Sequence, residues 1–505
     1  MPKCRETAVC GKEGKMNQSA GKRLSKEQVH KKEKEQQLCP VYKKCGGCQL
    51  LHMEYKRQLD WKREQVSSLL KPFGKLEGIT GMENPAHYRH KVHAVFGRDT
   101  RGNAISGVYK EGTHIIVPVD TCLLENEKAD AIIKTIRGLL KSFKIKIYDE
   151  DTGYGLLRHV LVRVGYETGQ IMVVLVLRSP VMPSKNNFVK ALRKEHPEIT
   201  TVVVNVNDRK TSMVLGTKEQ VIYGPGYIED KLCGLTFKIS PRSFYQVNPS
   251  QTEKLYRKAV EYAELSGKEV VLDTYCGTGT IGMIAAVKAK EVIGVELNKD
   301  AVRDAVAGAK KNQIANIRFY QADAGEFMTD MALIGRNVDV VFMDPPRQGS
   351  SQAFLDAVVK LKPKKVVYIS CNPETLARDM EYLSGKGYRM ERGRGIDMFP
   401  FTVHVETCVL LSKLKSAQHI EVKIELDEMD LTKAESKATY AEIKAYVLEK
   451  HGLKVSQLYI AQVKRKHGII ERVNYNVGEG KAKVPQVPME KEKAIEDALR
   501  YFQMI

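Results

Sequence analysis

After Ser240 the chain alternates short apolar runs with helix-length segments. The runs are Val270 to Leu272, Val292 to Val295, Ile317 to Tyr320, Val338 to Met343, Val366 to Ile369 and Val405 to Leu411. Strands separated by helix-length connections cannot pair as hairpins, so they lie side by side with helices covering both faces. This is the feature that most limits the fold: it predicts an α/β, doubly wound and largely parallel sheet. In such a sheet ligands bind beyond the carboxyl ends of the strands, so residues just after each run are the ones to examine.

After the first run, Asp273-Thr274-Tyr275-Cys276-Gly277-Thr278-Gly279-Thr280 is a strand entering a Gly-x-Gly turn and then a helix. Glu296 ends the second run, about 20 positions downstream, where an acid can hold both hydroxyls of a ribose. A nucleoside cofactor is therefore expected. Asp273 just before the turn would meet a pyrophosphate unfavourably, whereas a sulfonium amino acid tolerates it. S-adenosylmethionine is thus favoured over a dinucleotide, with Asp323 after the third run available to the adenine amino group.

Three further strand ends carry reactive groups. Asp344-Pro345-Pro346-Arg347 follows the fourth run, Ser370-Cys371-Asn372-Pro373 follows the fifth, and Glu406 lies in the approach to the last. A thiol, a methyl donor and a carboxylate in one crevice suit a particular reaction. Carbon 5 of uracil is a poor nucleophile until a thiolate adds to C6, and a base must then remove the C5 proton so that the thiol can leave. Cys371 is the candidate nucleophile and Glu406 the candidate base.

With Ser243-Phe244-Tyr245-Gln246-Val247-Asn248 upstream and Asp397 to Glu406 downstream, these motifs stand in the same order as in the RNA uracil-5-methyltransferase family. The chain resembles that family over residues 39–413. The resemblance implies a Rossmann-like S-adenosylmethionine methyltransferase sheet, with Gln246, Tyr275, Glu296 and Asp344 lining the cofactor and uracil site. It also supports Cys371 as nucleophile and Glu406 as base.

Cys39, Cys45 and Cys48 place three thiols within ten residues, around Gly46-Gly47, and Cys122 is a fourth downstream. Spacing alone suits zinc or an iron–sulfur cluster equally. The ribosomal-RNA branch of the family is similar in this Cys-x5-Cys-x2-Cys pattern, which implies a [4Fe-4S] cluster on Cys39, Cys45, Cys48 and Cys122. Such a cluster has no redox part in methyl transfer, so its expected role is in folding or RNA docking.

Lys plus Arg exceed Asp plus Glu, 81 against 61, for a formal charge of +20. An excess this large predicts a polyanionic partner. RNA is expected and DNA is not. No apolar run approaches the length of a membrane span, and the N-terminal residues lack an apolar signal core. The reading is a soluble, cytoplasmic monomer. Residues 1–38, Lys-, Glu- and Gln-rich, read as a disordered basic arm. Residues 39–240 read as a cluster-binding segment and a central α+β RNA-binding domain, 241–415 as the catalytic domain, and 416–505 as a small C-terminal αβ module. The 38 polar residues before Cys39 are too few and too charged for the OB-type barrel with which many bacterial relatives begin. RNA contacts then fall to the arm, the central domain or the C-terminal module, where Lys464-Arg465-Lys466-His467 is either a solvated loop or a phosphate contact. The expected activity is 5-methyluridine formation in 23S ribosomal RNA. The alternatives are the same reaction on tRNA, or a metal-containing RNA-binding or assembly protein.

Overall fold

The computed structural model describes residues 39–209, 213–414, 440–467, 487–502 and 504–505. The chain divides into two compact units, Met1–Ala417 and Gln418–Ile505. The basic arm, 1–38, lies outside the described residues, as does the strand-like stretch 422–426.

The described part of the first unit begins with a one-turn helix, α1 (Tyr42–Cys45), a long helix, α2 (Tyr55–Leu70), and a two-residue strand, β1 (Ile79–Thr80). Then come β2 (Lys91–Arg98), β3 (Ala104–Tyr109), β4 (Ile116–Pro118), α3 (Glu127–Ser142), β5 (Leu157–Val164), β6 (Ile171–Leu177), α4 (Lys185–Glu195), β7 (Ile199–Val206) and β8 (Lys218–Tyr223). The strands form one sheet in the order β4-β3-β2-β5-β6-β7-β8. Every residue of β5 and β6 is buried, which is why β6 reads as a continuous apolar run, whereas β5 buries Arg158, His159 and Arg163 among its apolar residues. Ile132, Ile136, Phe188 and Leu192 of α3 and α4 pack on one face against Val160, Val162 and Val173. The other face carries Leu161, Met172, Val174 and Val203, which meet Ile228 and Ile239 of a hairpin, β9 (Ile228–Leu232) and β10 (Leu235–Ile239).

The second sheet follows α5 (Pro249–Ala263). It is built from β11 (Val270–Thr274), α6 (Thr280–Ala286), β12 (Glu291–Glu296), α7 (Lys299–Lys311), β13 (Ile317–Gln321), α8 (Ala324–Leu333), β14 (Val340–Met343), α9 (Gln352–Leu361), β15 (Lys365–Ser370), α10 (Pro373–Gly385), β16 (Tyr388–Ile396) and β17 (Glu406–Lys413). With β1 the order is β1-β16-β17-β15-β14-β11-β12-β13. Strands β11 to β15 are mutually parallel, and β17 runs antiparallel to both β15 and β16. The chain builds outward from β11 to β13, then returns to lay β14 on the other side of β11. That reversal is the switch point at which doubly wound sheets bind ligands. This sheet is the Rossmann-like α/β architecture expected from the alternating runs. Each of the six runs is a strand. β16 escaped notice because Arg389, Glu391, Arg392 and Arg394 dilute its apolar residues, of which Tyr388, Met390 and Ile396 are buried.

No described helix is long and apolar enough to cross a membrane. The second unit contains helices α11 (Tyr440–His451), α12 (Gln457–Lys466) and α13 (Met489–Tyr501) around Ile443, Val447, Ile460, Val463, Ile495 and Leu499. Lys466 and His467 are not a solvated loop: they end α12 and pair with Glu492 and Glu496 of α13.

Candidate active site and cysteine loop

The β11–α6 loop holds three residues with left-handed backbone: Tyr275 at φ 58°, Gly277 at 55° and Gly279 at 77°. The glycines take this conformation freely, whereas a tyrosine there is strained, a kind of cost that concentrates at functional sites. Several contacts hold the loop in place. Asp273 accepts from the Gly282 N–H at 2.8 Å. Glu296 accepts from the Gly277 N–H at 3.0 Å and from the Asn298 N–H at 2.8 Å. The Tyr275 ring stacks on Phe354 with centroids 5.0 Å apart.

The result is an open cradle. A Cβ on Gly277 would meet nothing within 4 Å, whereas one on Gly279 would lie 2.6 Å from the Phe319 ring. Gln246, Tyr275, Gly277 and Asp344 line one pocket here, and Glu296 stands behind Gly277. The structure thus brings together the four residues expected at the cofactor. Asp323 caps α8, its Oδ1 accepting from the Gly325 N–H at 2.9 Å and the Glu326 N–H at 3.1 Å. A Gly279→Ala variant is expected to lose S-adenosylmethionine binding by at least about tenfold in calorimetry, because the new methyl combines strain at positive φ with a clash.

Cys371 and Glu406 meet through strand register. The β15–β17 ladder ends with Ser370 paired to Thr407, so Cys371 and Glu406 are the next residues of the two chains at the same end of the ladder. They are near enough for the Glu406 carboxylate to disfavour the thiolate. Glu406 is buried and Cys371 half-buried. Asn372 caps α10 by accepting from the Glu374 N–H at 3.0 Å. Its amide also donates to the Arg347 carbonyl at 3.3 Å, as does the Thr375 hydroxyl. The thiol turn and the Asp344–Arg347 loop are thereby tied together.

The electrostatics leave this crevice short of positive charge. Burial pushes Asp344 up to about 7. Burial raises Glu406 to about 8, with Asp344 adding and Arg347 opposing. Asp273 is raised by burial to about 8, with Asp344 and Glu296 adding. Burial pushes Cys371 up to about 11, helped by Glu406 and Asp344 and opposed by Arg347. A cationic ligand relieves this arrangement and an anionic one worsens it, so the residues fit a sulfonium cofactor. Arg347 was present in the sequence motif, but its influence on both reactive groups depends on the loop geometry.

Two features here were not foreseen. The Asp397–Val405 segment that presents Glu406 is pinned by a buried ion pair: Lys62 of α2 donates to Asp397 Oδ1 at 2.6 Å, with both side chains fully buried. Lys62 also donates to the Phe399 carbonyl at 3.0 Å, and the Tyr55 hydroxyl to Asp397 Oδ2 at 2.8 Å. The cysteine loop leans on the same segment. Leu50 N–H donates to the Phe401 carbonyl at 2.9 Å, and the Tyr88 hydroxyl to the Pro400 carbonyl at 3.1 Å.

Within the cysteine loop, Gly46 ends α1 in left-handed backbone at φ 75°, and a Cβ on Gly47 would sit 3.3 Å from Cys45 Sγ. Burial pushes Cys48 up to about 12, with the nearby Cys39 and Cys45 thiols adding. Cys122 is raised by burial to about 12, with Glu125 and Cys48 contributing. All four are free cysteines; Cys39, Cys45 and Cys48 are near one another, and Cys122 is near Cys48. Among the described residues, no three Cys, His, Asp or Glu side chains converge tightly enough to grip a single ion.

A sequence model described as tRNA (uracil-5-)-methyltransferase matches residues 54–414. The chain is 42% identical over 378 residues to an uncharacterized RNA methyltransferase of Halalkalibacterium halodurans, covering 74% of this chain and 82% of that protein. It is also 42% identical over 381 residues to one of Caldanaerobacter subterraneus, covering 75% and 84%. Among solved structures, it is similar to the Pyrococcus abyssi tRNA (uracil-54, C5)-methyltransferase in complex with S-adenosyl-L-homocysteine. That similarity has a TM-score of 0.61 at 27% identity, over 73% of this chain and 86% of the other.

Proposed function

The chain belongs to the tRNA (uracil-5-)-methyltransferase family of S-adenosylmethionine-dependent RNA methyltransferases, and from that premise we propose that it methylates C5 of a uridine in 23S ribosomal RNA through a covalent Cys371–C6 adduct. The observation that carries this reading is the register that brings Cys371 and Glu406 to one end of the β15–β17 ladder, beside the Gly277–Gly279 cradle.

S-adenosylmethionine, when bound, supplies an electrophilic methyl group on a sulfonium. Gln246, Tyr275, Glu296 and Asp344 would hold it, the acids matching its positive charge. Cys371 adds to C6 of the uracil, giving an enolate whose C5 takes the methyl. Glu406 then removes the C5 proton, and the C6–S bond breaks to release the thiol. Since burial holds Glu406 up near 8, its base form is scarce in mild acid. kcat/KM should therefore rise steeply up to about pH 8, where both Glu406 and the thiol must lose protons, and about tenfold per pH unit above it, where only the Cys371 thiol near 11 still does, in a pH–rate profile run under saturating cofactor. A profile with no change of slope near pH 8 would count against Glu406.

Mapping 5-methyluridine in ribosomal and transfer RNA, from cells with and without the gene, tests the substrate. Loss from 23S RNA is expected. Loss from tRNA alone favours the second reading, which draws on the similarity to the Pyrococcus abyssi tRNA enzyme.

We assign Cys39, Cys45, Cys48 and Cys122 to a [4Fe-4S] cluster. The spacing suits zinc or a cluster alike, and the support for the cluster is the likeness of the Cys-x5-Cys-x2-Cys pattern to the ribosomal-RNA branch of the family. The cysteine loop's support of the Pro400–Phe401 turn fits a role in folding. Anaerobically purified protein should be brown, and a Cys45→Ser variant colourless; a colourless wild type holding one zinc sinks the assignment. The working form is a cytoplasmic monomer.

A further inference from the structure

A second cavity, of about 340 Å³, is lined by Asn248, two residues along the chain from Gln246 of the cofactor pocket. Its wall includes Met82, Asn84, His90, Tyr166, Ser250 and Lys254. The rings of His90 and Tyr166 meet edge to face, with centroids 5.2 Å apart at 85°. Tyr166 is 48% exposed, so part of its ring is open to a ligand. Buried His90 Nδ1 has no hydrogen-bond partner among the described residues. An open aromatic ring beside an amide and a hydroxyl makes a surface for a flat heterocycle with polar edges.

Position narrows the choice. Gln246 lines the cofactor pocket and Asn248 the second cavity, while the His90 N–H holds the Val247 carbonyl between them at 2.8 Å. Two residues of chain span no more than about 7 Å. That is roughly twice the 3.4 Å rise of a stacked nucleotide, the step expected of a strand pulled out of its stack. Single-stranded RNA is read in this way, with bases splayed onto aromatic side chains.

We propose that this cavity receives the base of a nucleotide adjacent to the target uridine, stacked on Tyr166, whose ring His90 supports from behind, with Asn84 and Ser250 at its polar edge. The proposal rests on the uridine reading above and adds a second base-binding site to it.

The test uses wild-type protein, S-adenosylmethionine and an RNA oligonucleotide spanning the uridine mapped in cells, with an abasic nucleotide placed before or after it. One of the two abasic substrates should raise KM roughly tenfold to a hundredfold, the range for losing one base stack. Tyr166→Ala and His90→Ala should raise KM on the intact oligonucleotide by a similar factor. Turnover at saturating RNA and cofactor affinity should stay unchanged. The losses from Tyr166→Ala and from the abasic site should not add, because they remove the same contact. Additive losses, or indifference to both abasic positions, overturn the cavity's role and leave the uridine reading intact. Failure of wild type to methylate the intact oligonucleotide counts against the uridine reading, and this proposal falls with it.

Discussion

Cys371→Ala should reduce methyl transfer to background, and Glu406→Gln should slow turnover about 10²- to 10⁴-fold while trapping the protein on its RNA. The two outcomes differ because the residues act at different points. Without the thiol, C5 never becomes nucleophilic and no bond to RNA forms. Without the base, addition and methylation proceed but the C5 proton stays, so the thiol cannot leave. The trapped species should survive denaturing electrophoresis as a band carrying both labelled RNA and the transferred methyl. The double variant should show neither adduct nor product. Methyl transfer retained by Cys371→Ala would refute the covalent route, and an adduct-free Glu406→Gln enzyme would remove that residue as the base.

The largest effect on stability is expected at Lys62. With both side chains fully buried, Lys62→Met leaves the Asp397 carboxylate facing only the Tyr55 hydroxyl. Breaking a buried pair from one side costs roughly 3–5 kcal/mol, read as a lower urea midpoint with unchanged slope. Desolvation already lowers the Lys62 ammonium's affinity for its proton, and Asp397 opposes that shift, so the pair's value lies in its mutual neutralisation. Adding Asp397→Asn to Lys62→Met should recover much of the loss, since the stranded charge is then gone. A Lys62→Met protein as stable as its parent would show that the pair holds nothing. Because Asp397 opens the segment that presents Glu406, the single variant should also lose activity beyond its fraction unfolded.

Much of this molecule was legible in the sequence because parallel strands buried on both faces must be apolar almost throughout. Runs such as Val338 to Met343 mark strands, and the residues beyond them mark the crevice. Cys371, Asp344 and the glycine turn could be found in that way. The meeting of Cys371 and Glu406 could not. It depends on β17 inserting antiparallel between β15 and β16, and no local pattern encodes a partner 35 positions away. Lys62 was hidden for another reason. A lysine in a charged helix ordinarily faces water, and only the packing of α2 on the Asp397 segment buries it. The strain at Tyr275 was equally invisible, since backbone torsion leaves no compositional trace. The Lys466-His467 pair at the end of α12 looked available for phosphate until α13 supplied its acids.

The insertion of β17 has a consequence in time. It lies inside the sheet, yet it is the last strand of its sheet to leave the ribosome, and β1, made more than 300 residues earlier, closes the edge beyond it on β16. Non-local pairings of this kind form late. A nascent chain that ends just short of Glu406 carries Cys371 but neither the proposed base nor the strand that joins β16 to β15. The sheet and the crevice at its strand ends are therefore completed together, by the last strand made.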